Sequence, residues 1–170
     1  MTTPTPRSGA PWQLRDADRT LRLFLTAFLV VVTAGYGIGL GFVNHATSGT
    51  SSGLSSEFRG DDEGTIAPEM KFEKSPREMY TFLHNHVFSL GILFFSVGGI
   101  FYFSSLVSGG LKLFLLVEPF AAIATTFGGI WLMRFVSPGF SWLVIVSGLS
   151  MAVCYLAILF LIMKELWCGQ

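Results

Sequence analysis

Residues 23–43 read LFLTAFLVVVTAGYGIGLGFV, a run of 21 residues without a charged side chain. At 1.5 Å per residue, a helix of this length spans roughly 31 Å, close to the hydrocarbon thickness of a bilayer. Three more apolar runs follow at 87–106, 113–133 and 142–163, and the single charge within the four runs is Glu118. The sequence therefore predicts an all-α membrane protein with four transmembrane helices.

The composition agrees with this class of protein. Hydrophobic residues make up 51% of the 170 residues and charged residues 13%, compared with about 25% charged residues in soluble domains. The net charge is zero, from 11 basic and 11 acidic residues. Because nucleic-acid binding usually requires a broad basic surface, we expect no nucleic-acid partner, and the lipid bilayer is the expected environment.

The connections between the apolar runs predict the topology. The second, third and fourth spans are joined by short loops and should be antiparallel neighbours in an up-down bundle. We take residues 1–22 as a cytoplasmic segment and residues 23–170 as the membrane domain, with a long extracytoplasmic loop at 46–75. Six Lys and Arg residues fall on the side of the two termini and five on the other side, which favours cytoplasmic termini. A cleaved signal peptide is disfavoured because the first run exceeds the usual length of about 7 to 15 residues.

The long loop changes character along its length. Residues 46–63, ATSGTSSGLSSEFRGDDE, are rich in serine, glycine and acids, so we expect them to be flexible or to order only against a partner. The end of the loop differs, because Ser75, Pro76 and Glu78 form the pattern of a capping box with proline at the first helical position. The second transmembrane helix is therefore predicted to begin at Pro76.

Small residues are concentrated in the first three spans. Residues 35–41, GYGIGLG, contain two Gly-x-x-x-Gly pairs, and Gly91 and Gly98 share a face of the second helix. In lipid, small residues allow helix backbones to approach closely. We interpret these glycines as packing positions within one subunit, with homodimerisation through the first helix as the alternative. Trp142 and Trp167, near opposite ends of the fourth helix, fit interfacial aromatic belts.

The three histidines are the candidate ligand residues that the predicted topology brings together. His45 follows the first span, whereas His84 and His86 precede the second, so an up-down bundle brings all three to one membrane face. A helix turns about 100° per residue, so His84 and His86 point roughly 200° apart. Because His84 shares its face with Gly91 and Gly98, we expect His84 to face inward and His86 to face lipid, the loop or a partner.

Three interpretations of the histidines stay open at this point. His45 and His84 can hold haem b through its two axial positions, between facing helices. The same histidines, with a carboxylate from Asp61, Asp62 or Glu63, can instead bind zinc or copper. The third interpretation is that the histidines are interfacial anchors without a cofactor.

Residues 83–95, LHNHVFSLGILFF, carry a resemblance. The segment resembles the His-x-His-x-x-x-x-Gly helix opening of small bacterial four-helix membrane proteins of unassigned function, and it is distantly similar to histidine-bearing helices of haem-containing respiratory membrane subunits. The likeness covers about twenty residues, 80–99. It implies a multi-pass protein of the bacterial inner membrane, with haem b at His84 or His86. Because no histidine lies near the opposite membrane face, the resemblance implies at most one haem.

A carboxylate interrupts the third span. Glu118 lies about five residues into its apolar run, and an ionised carboxylate within a membrane helix is costly. It should be protonated or paired, for example with Arg22 or Lys164 at the ends of neighbouring helices. Pro119 removes one backbone hydrogen bond and predicts a local kink. Glu118 is thus either a proton-handling group or partner contact, or an interhelical ion pair.

Arg134, at the opposite end of the third span, is the second intramembrane polar candidate. We expect it to extend toward the outer interface and to pair with Glu78 or an acid of the loop.

The functional hypothesis follows from this short set of polar residues. No nucleophile elbow, phosphate loop or His-Glu-x-x-His motif is present in the sequence, so catalysis by this chain alone is not expected. The primary hypothesis is a redox-associated or accessory membrane subunit, with His45, His84 and His86 as candidate cofactor ligands for electron transport. The alternative is a cofactor-free interaction protein whose acidic outer loop binds another membrane or extracytoplasmic subunit.

Overall fold

The computed structural model describes residues 12–61 and 70–168, and these residues are mainly helical. The helices are α1 (Arg19–Thr47), α2 (Ser51–Arg59), α3 (Pro76–Tyr102), α4 (Gly109–Phe135) and α5 (Ser141–Cys168). Short 3₁₀ turns at Leu14–Asp16 and Pro138–Phe140 precede α1 and α5. Helices α1, α3, α4 and α5 are long and apolar enough to cross a membrane, which confirms the predicted four-span, all-α bundle.

The apolar core lies between α3, α4 and α5. Helix α5 packs along α4 and also contacts α3 and α1. The fully or almost fully buried side chains come mainly from these three helices and include Phe94, Val97, Phe101, Ile123, Met133, Tyr155, Ile158 and Ile162. Helix α1 contributes little to this core, because Leu29 is its one buried large apolar side chain.

The two ends of the bundle differ in structure. Helix α2 lies against α4 and α5 at one end, which we call the capped end. The other end carries the Leu14–Asp16 turn and the last turn of α5, and we call it the terminal end. Trp142 and Trp167 are exposed near the two ends of α5, roughly 37 Å apart along the helix. This spacing is that expected of aromatic residues at the two interfaces of a bilayer.

The sequence did not predict α2. A left-handed turn at Ser48 (φ 51°) and Gly49 (φ 64°) ends α1, and Thr50 caps α2 by accepting a hydrogen bond from Gly53 N at 3.0 Å. Leu54 and Phe58, four residues apart, are buried against the bundle. The described part of the 46–63 segment is therefore a packed helix and its connections. Two apolar residues at helical spacing are enough, because the bundle supplies the surface that they bury.

The second transmembrane helix ends before its apolar run does. Helix α3 stops at Tyr102, whereas the apolar run continues to Leu106. Ser104 and Ser105 lie in the connection to α4 and bind the side chain of Glu165. This long-range contact ends the helix within an apolar stretch.

The start of α3 is confirmed at Pro76. Ser75 Oγ accepts a hydrogen bond from Glu78 N at 3.4 Å, and Glu78 Oε2 accepts one from Ser75 N at 2.7 Å. These reciprocal hydrogen bonds form the predicted capping box and satisfy two helix-end donors.

We expect Ser75→Ala to lower the free energy of unfolding by about 1 kcal/mol, because it removes a helix cap. Ser108→Ala is the matched control, since Ser108 occupies the N-cap position of α4 without a side-chain cap hydrogen bond. Denaturant unfolding of the two variants in the same detergent provides the measurement. Equal losses of stability would show that the capping box does not stabilise α3.

Candidate functional site

His84 and His86 occupy opposite sides of α3, and both are exposed. The His84 ring is exposed and stacks on Phe88, which is itself 64% exposed. The His86 ring instead lies 5.7 Å from that of Phe127 on α4, and its Nδ1 is 2.9 Å from Phe82 O. The prediction that His84 faces inward is therefore wrong, whereas His86 is exposed, as predicted. His86 lies on the side of α3 that contacts α4.

His45 and the loop carboxylate do not join these histidines in a common site. His45 is exposed in the last turn of α1. Asp61 Oδ2 accepts a hydrogen bond from Lys71 N at 2.8 Å, whereas Asp62 and Glu63 lie outside the described residues. Across residues 12–61 and 70–168, no three or more His, Cys, Asp and Glu side chains come together in a group that could hold a metal ion.

Glu118 lies deep within the bundle. It is nine residues after the start of α4, roughly 13.5 Å along the helix axis. Its Oε1 accepts a hydrogen bond from Ser150 Oγ on α5. Its Oε2 is buried, and no described residue forms a hydrogen bond with it. Glu118 therefore has one bonded and one free carboxylate oxygen inside the span.

The predicted ion pair of Glu118 is not formed. Arg22 donates instead to Ala17 O at 2.8 Å and to Arg15 O at 2.9 Å, which connects α1 to the preceding 3₁₀ turn. Lys164 is exposed on α5. Among the described residues, the salt bridges are those of Glu57 with two lysines and of Arg134 with Glu73.

Further polar side chains share the interior with Glu118. Tyr155 and Thr33 join α5 to α1 through a hydrogen bond of 2.9 Å between their hydroxyl oxygens. The Tyr36 ring packs on the Tyr155 ring at 4.5 Å. Polar contacts within the span therefore join α5 to α1 through Tyr155 and to α4 through Ser150, and the sequence analysis identified neither.

Arg134 is paired with an acid of the loop, as predicted. Its guanidinium forms a salt bridge with Glu73 and donates a second hydrogen bond to Lys74 O at 2.8 Å. Arg134 is only 9% exposed, so it is held beneath the loop that precedes α3. Its role in this structure is to fasten that loop to the end of α4.

The other charges at the capped end also hold the cap in place. Glu57 on α2 pairs with Lys71 at 3.1 Å and with Lys74 at 3.0 Å. Arg59 donates to the carbonyl oxygens of Met133 and Arg134 at 3.0 and 3.1 Å, where it satisfies acceptors at the end of α4. Glu57 and Glu73 at the capped end are thus both paired with basic residues of the same chain.

Glu165 is a buried charged residue that the sequence analysis missed. It is 1% exposed near the end of α5. Its carboxylate accepts hydrogen bonds from Ser104 Oγ, from Ser105 Oγ at 2.7 Å and from Ser105 N at 2.9 Å. The carboxylate organises the α3–α4 connection at the terminal end. A signal in the sequence was the Ser-Ser pair that interrupts the second apolar run.

The glycines fall into two groups. A Cβ atom added at Gly129 would lie 3.0 Å from Val144 Cγ2, so this glycine permits close packing of α4 on α5. Gly98 lies similarly close to Leu116, at 3.4 Å. In contrast, a Cβ at any of the α1 glycines 35, 37, 39 and 41 would meet no atom within 4 Å. The interpretation of these α1 glycines as packing positions within the subunit is therefore wrong.

The fold and the polar residues define a multi-pass helical membrane protein. Residues 48–170, which include α2 to α5, match the model of the Aq_1264_TM family, described as a transmembrane helical domain. The chain belongs to this family. No curated protein and no solved structure shows significant similarity to the chain. Helix α1 lies before the matched residues, and it is also the least buried of the long helices.

Proposed function

We propose that this protein is an accessory membrane subunit that binds a transmembrane helix of another protein through α1. The observation that carries the proposal is the low burial of α1. In its most apolar 18-residue window, 6% of residues are buried within the chain, compared with 44% in α4. A helix with this little internal packing has most of its surface free for contact within the bilayer.

The exposed residues of α1 are consistent with binding of a partner helix. The glycines of α1 leave open space around the backbone, and small residues let two transmembrane helices approach closely. The apolar run 23–43 carries no charge, so the complementary surface is an apolar helix. The position of α1 outside the family-matched domain supports the same role, since α2 to α5 form the shared unit.

Photocrosslinking in native membranes tests this function. Ile38 and Phe95 are each 74% exposed, on α1 and α3 respectively, so a photoreactive amino acid at either site samples the membrane equally. Ile38 lies three residues from Gly35 and Gly41, on the same helical face. We expect a single dominant protein adduct from position 38, identified by mass spectrometry, and lipid adducts from position 95.

Two results would contradict the accessory role. Lipid adducts alone at both positions would show that α1 faces lipid. An adduct between two copies of this chain would replace the accessory role with homodimerisation through α1.

A redox role for this subunit is supported by the resemblance of residues 80–99 to haem-bearing helices. Within one chain, however, the histidines do not fit a pair of axial haem ligands. All three histidines are exposed, His84 and His86 lie on opposite sides of α3, and His45 lies on another helix. The Nδ1 of His86 is engaged with Phe82 O, which leaves Nε2 as its free ligand atom. A haem b, zinc or copper site in our proposal therefore requires a ligand from the partner. When bound there, haem would supply one-electron chemistry to the complex. An absorption spectrum and metal analysis of the intact complex test this role.

The proposed location is the bacterial inner membrane, with both termini in the cytoplasm. The distribution of Lys and Arg supports this orientation, with six on the side of the termini and five on the other. Protease protection of the capped end in oriented vesicles tests it. The acidic loop is not proposed as the docking surface, because Glu57, Asp61 and Glu73 are bonded within the chain.

A further inference from the structure

A cavity of about 490 Å³ opens at the terminal end, where the residues before the first 3₁₀ turn meet the start of α4. Its volume lies within the range of roughly 300 to 1,000 Å³ that is typical of small-molecule sites. Because Trp167 is exposed at the same end of the bundle, the cavity lies at the depth of a membrane interface. Its polar lining residues are Gln13, Ser104 and Lys112, and its aromatic ones are Trp12, Tyr102 and Phe103.

Lys112 gives the cavity a positive charge. Its Nζ donates to Tyr102 O at 2.6 Å and to Ser104 O at 2.8 Å, and it lies 5.4 Å from the centre of the Tyr102 ring. These contacts hold the ammonium group in place and use two of its three N–H donors. Among residues 12–61 and 70–168, Lys112 forms no salt bridge. One donor and the positive charge therefore remain for an anionic ligand.

The acids near this end of the bundle do not neutralise the lining. Asp16 Oδ2 accepts a hydrogen bond from Gln13 N at 3.0 Å. Glu165 accepts from the Ser104 hydroxyl, whereas Lys112 donates to the carbonyl oxygen of the same serine. Neither carboxylate is part of the cavity lining, so the described lining has a net positive charge.

Gln13 adds an unsatisfied acceptor to the lining. Its Oε1 is buried, and no described residue donates a hydrogen bond to it. A buried acceptor without a donor is destabilising, and most such atoms in proteins are paired. A ligand that carries a hydroxyl group beside its anionic group would supply the donor.

The polarity of the lining changes with depth in the membrane. Helix α4 begins at Gly109 and runs toward the capped end, so Leu116 lies about 6 Å deeper than Lys112 on the same helical face. Leu113 also lines the cavity and is 63% exposed. A phospholipid has the same order, with its phosphate at the membrane surface and its acyl chains below. A free phosphate would leave the leucines uncovered, so the lining favours a lipid.

We propose that this cavity binds an anionic phospholipid. The phosphate accepts a hydrogen bond from Lys112 Nζ, a headgroup hydroxyl donates to Gln13, and an acyl chain follows Leu113 and Leu116 into the bilayer. A zwitterionic lipid fits less well, because its cationic group would lie beside the Lys112 ammonium. The site does not depend on the docking function of α1, and either proposal can fail without the other.

Native mass spectrometry of the full-length protein in detergent tests the site. The protein is titrated separately with phosphatidylglycerol, phosphatidylethanolamine and phosphatidylcholine of the same acyl composition, and the dissociation constant of the first bound lipid is measured. We expect phosphatidylglycerol to bind roughly fivefold more tightly than phosphatidylcholine, the effect of about one lysine on an anionic lipid. Soluble glycerol phosphate should not displace it.

Two variants connect this preference to the cavity. Lys112→Gln removes the positive charge and should make the affinities for phosphatidylglycerol and phosphatidylcholine nearly equal. Gln13→Glu should do the same, because a carboxylate in the lining competes with the phosphate for Lys112. The second change is nearly isosteric and keeps the hydrogen bonds of Lys112 to the α3–α4 connection. Lys164→Gln is the matched control, since Lys164 is exposed at the same end outside the cavity lining, and the preference should stay unchanged.

Four results would overturn the proposal. The first is equal affinity of the wild-type protein for phosphatidylglycerol and phosphatidylcholine. The second is tighter binding of phosphatidylethanolamine than of phosphatidylglycerol. The third is an equal loss of preference in the Gln13→Glu and Lys164→Gln variants, which would assign the effect to the general charge of the terminal end. The fourth is displacement of the lipid by glycerol phosphate, which would assign the cavity to a soluble phosphate.

Discussion

Glu165→Ala is expected to lower the free energy of unfolding by about 3 kcal/mol, since it leaves the buried Ser104 hydroxyl and the part-buried donors of Ser105 without their acceptor. The wild-type carboxylate accepts from the hydroxyls of Ser104 and Ser105 and from the Ser105 backbone N–H. Ser105 is exposed, so its N–H and hydroxyl can bond to water instead. The Ser104 hydroxyl is buried, so it carries most of the penalty.

The loss should be concentrated at the terminal end. Lys112 Nζ donates to Tyr102 O at 2.6 Å and to Ser104 O at 2.8 Å, so it secures the same connection from α4. Without Glu165, these lysine bonds and the hydrogen bond from Leu14 N to Phe103 O at 2.9 Å hold the α3–α4 connection. Hydrogen exchange at the Ser105 amide should therefore become much faster, while amides at the capped end keep their protection.

Two variants calibrate this prediction. Glu165→Gln keeps one carbonyl oxygen as an acceptor and should lose only about 1 kcal/mol. Glu57→Ala removes a carboxylate that is 25% exposed and paired with two lysines, and such partly exposed pairs contribute at most about 1 kcal/mol. Reversible unfolding in detergent measures all three variants. If Glu165→Ala is no more destabilising than Glu57→Ala, the buried carboxylate is not a structural anchor.

The sequence predicted those parts of the fold that depend on residues close together in the chain. The run at 23–43 has the length of a span, and a helix there satisfies its own backbone hydrogen bonds whatever surrounds it. Ser75, Pro76 and Glu78 are close in sequence, so the capping box and the start of α3 could be predicted without tertiary information. The pairing of Arg134 with a loop acid followed from its position at a helix end.

Which face of each membrane helix is buried in the protein could not be predicted in the same way. Lipid and protein interior are about equally apolar, so hydrophobic periodicity does not identify the buried face of a membrane helix. The glycines were a misleading guide, because Gly98 contacts Leu116 whereas Gly91 has open space around it. Since the face of α3 was assigned from both glycines, His84 was placed inward, although it is exposed.

Long-range polar contacts were the second source of error. Glu118 stands out within an apolar run, whereas Glu165 looks like an ordinary residue near a helix end. The structure buries Glu165 and one carboxylate oxygen of Glu118, and the partners of Glu165 lie 60 and 61 residues away in the sequence. Helix α2 shows the same limitation, since Leu54 and Phe58 are buried only because the bundle lies beneath them.

The cap formed by α2 leads to the second large prediction. Gly53→Ala should destabilise the protein by about 2 to 3 kcal/mol, although alanine is the better helix former by up to about 1 kcal/mol. A Cβ atom at this position would lie 2.0 Å from Thr47 O. Neither the Cβ atom at position 53 nor the Thr47 carbonyl oxygen can be moved by a side-chain rotation. Helix α2 therefore has to shift away from the end of α1.

That shift should release the whole cap. Leu54 and Phe58 would lose their burial, and Arg59 would be drawn away from the carbonyl oxygens of Met133 and Arg134. We therefore expect trypsin to cleave after Arg59 faster in the Gly53→Ala variant than in wild type. Thermal unfolding of the detergent-purified protein measures the accompanying loss of stability.

Gly91→Ala is the matched control, because a Cβ atom at this α3 position meets nothing within 4 Å. It should be neutral or slightly stabilising, since alanine restricts the unfolded chain and favours the helix. The same chemical change thus has opposite expected signs at two helical glycines. If both variants are neutral, α2 yields to the added methyl group without loss, and the close contact between Gly53 and Thr47 does not hold the cap.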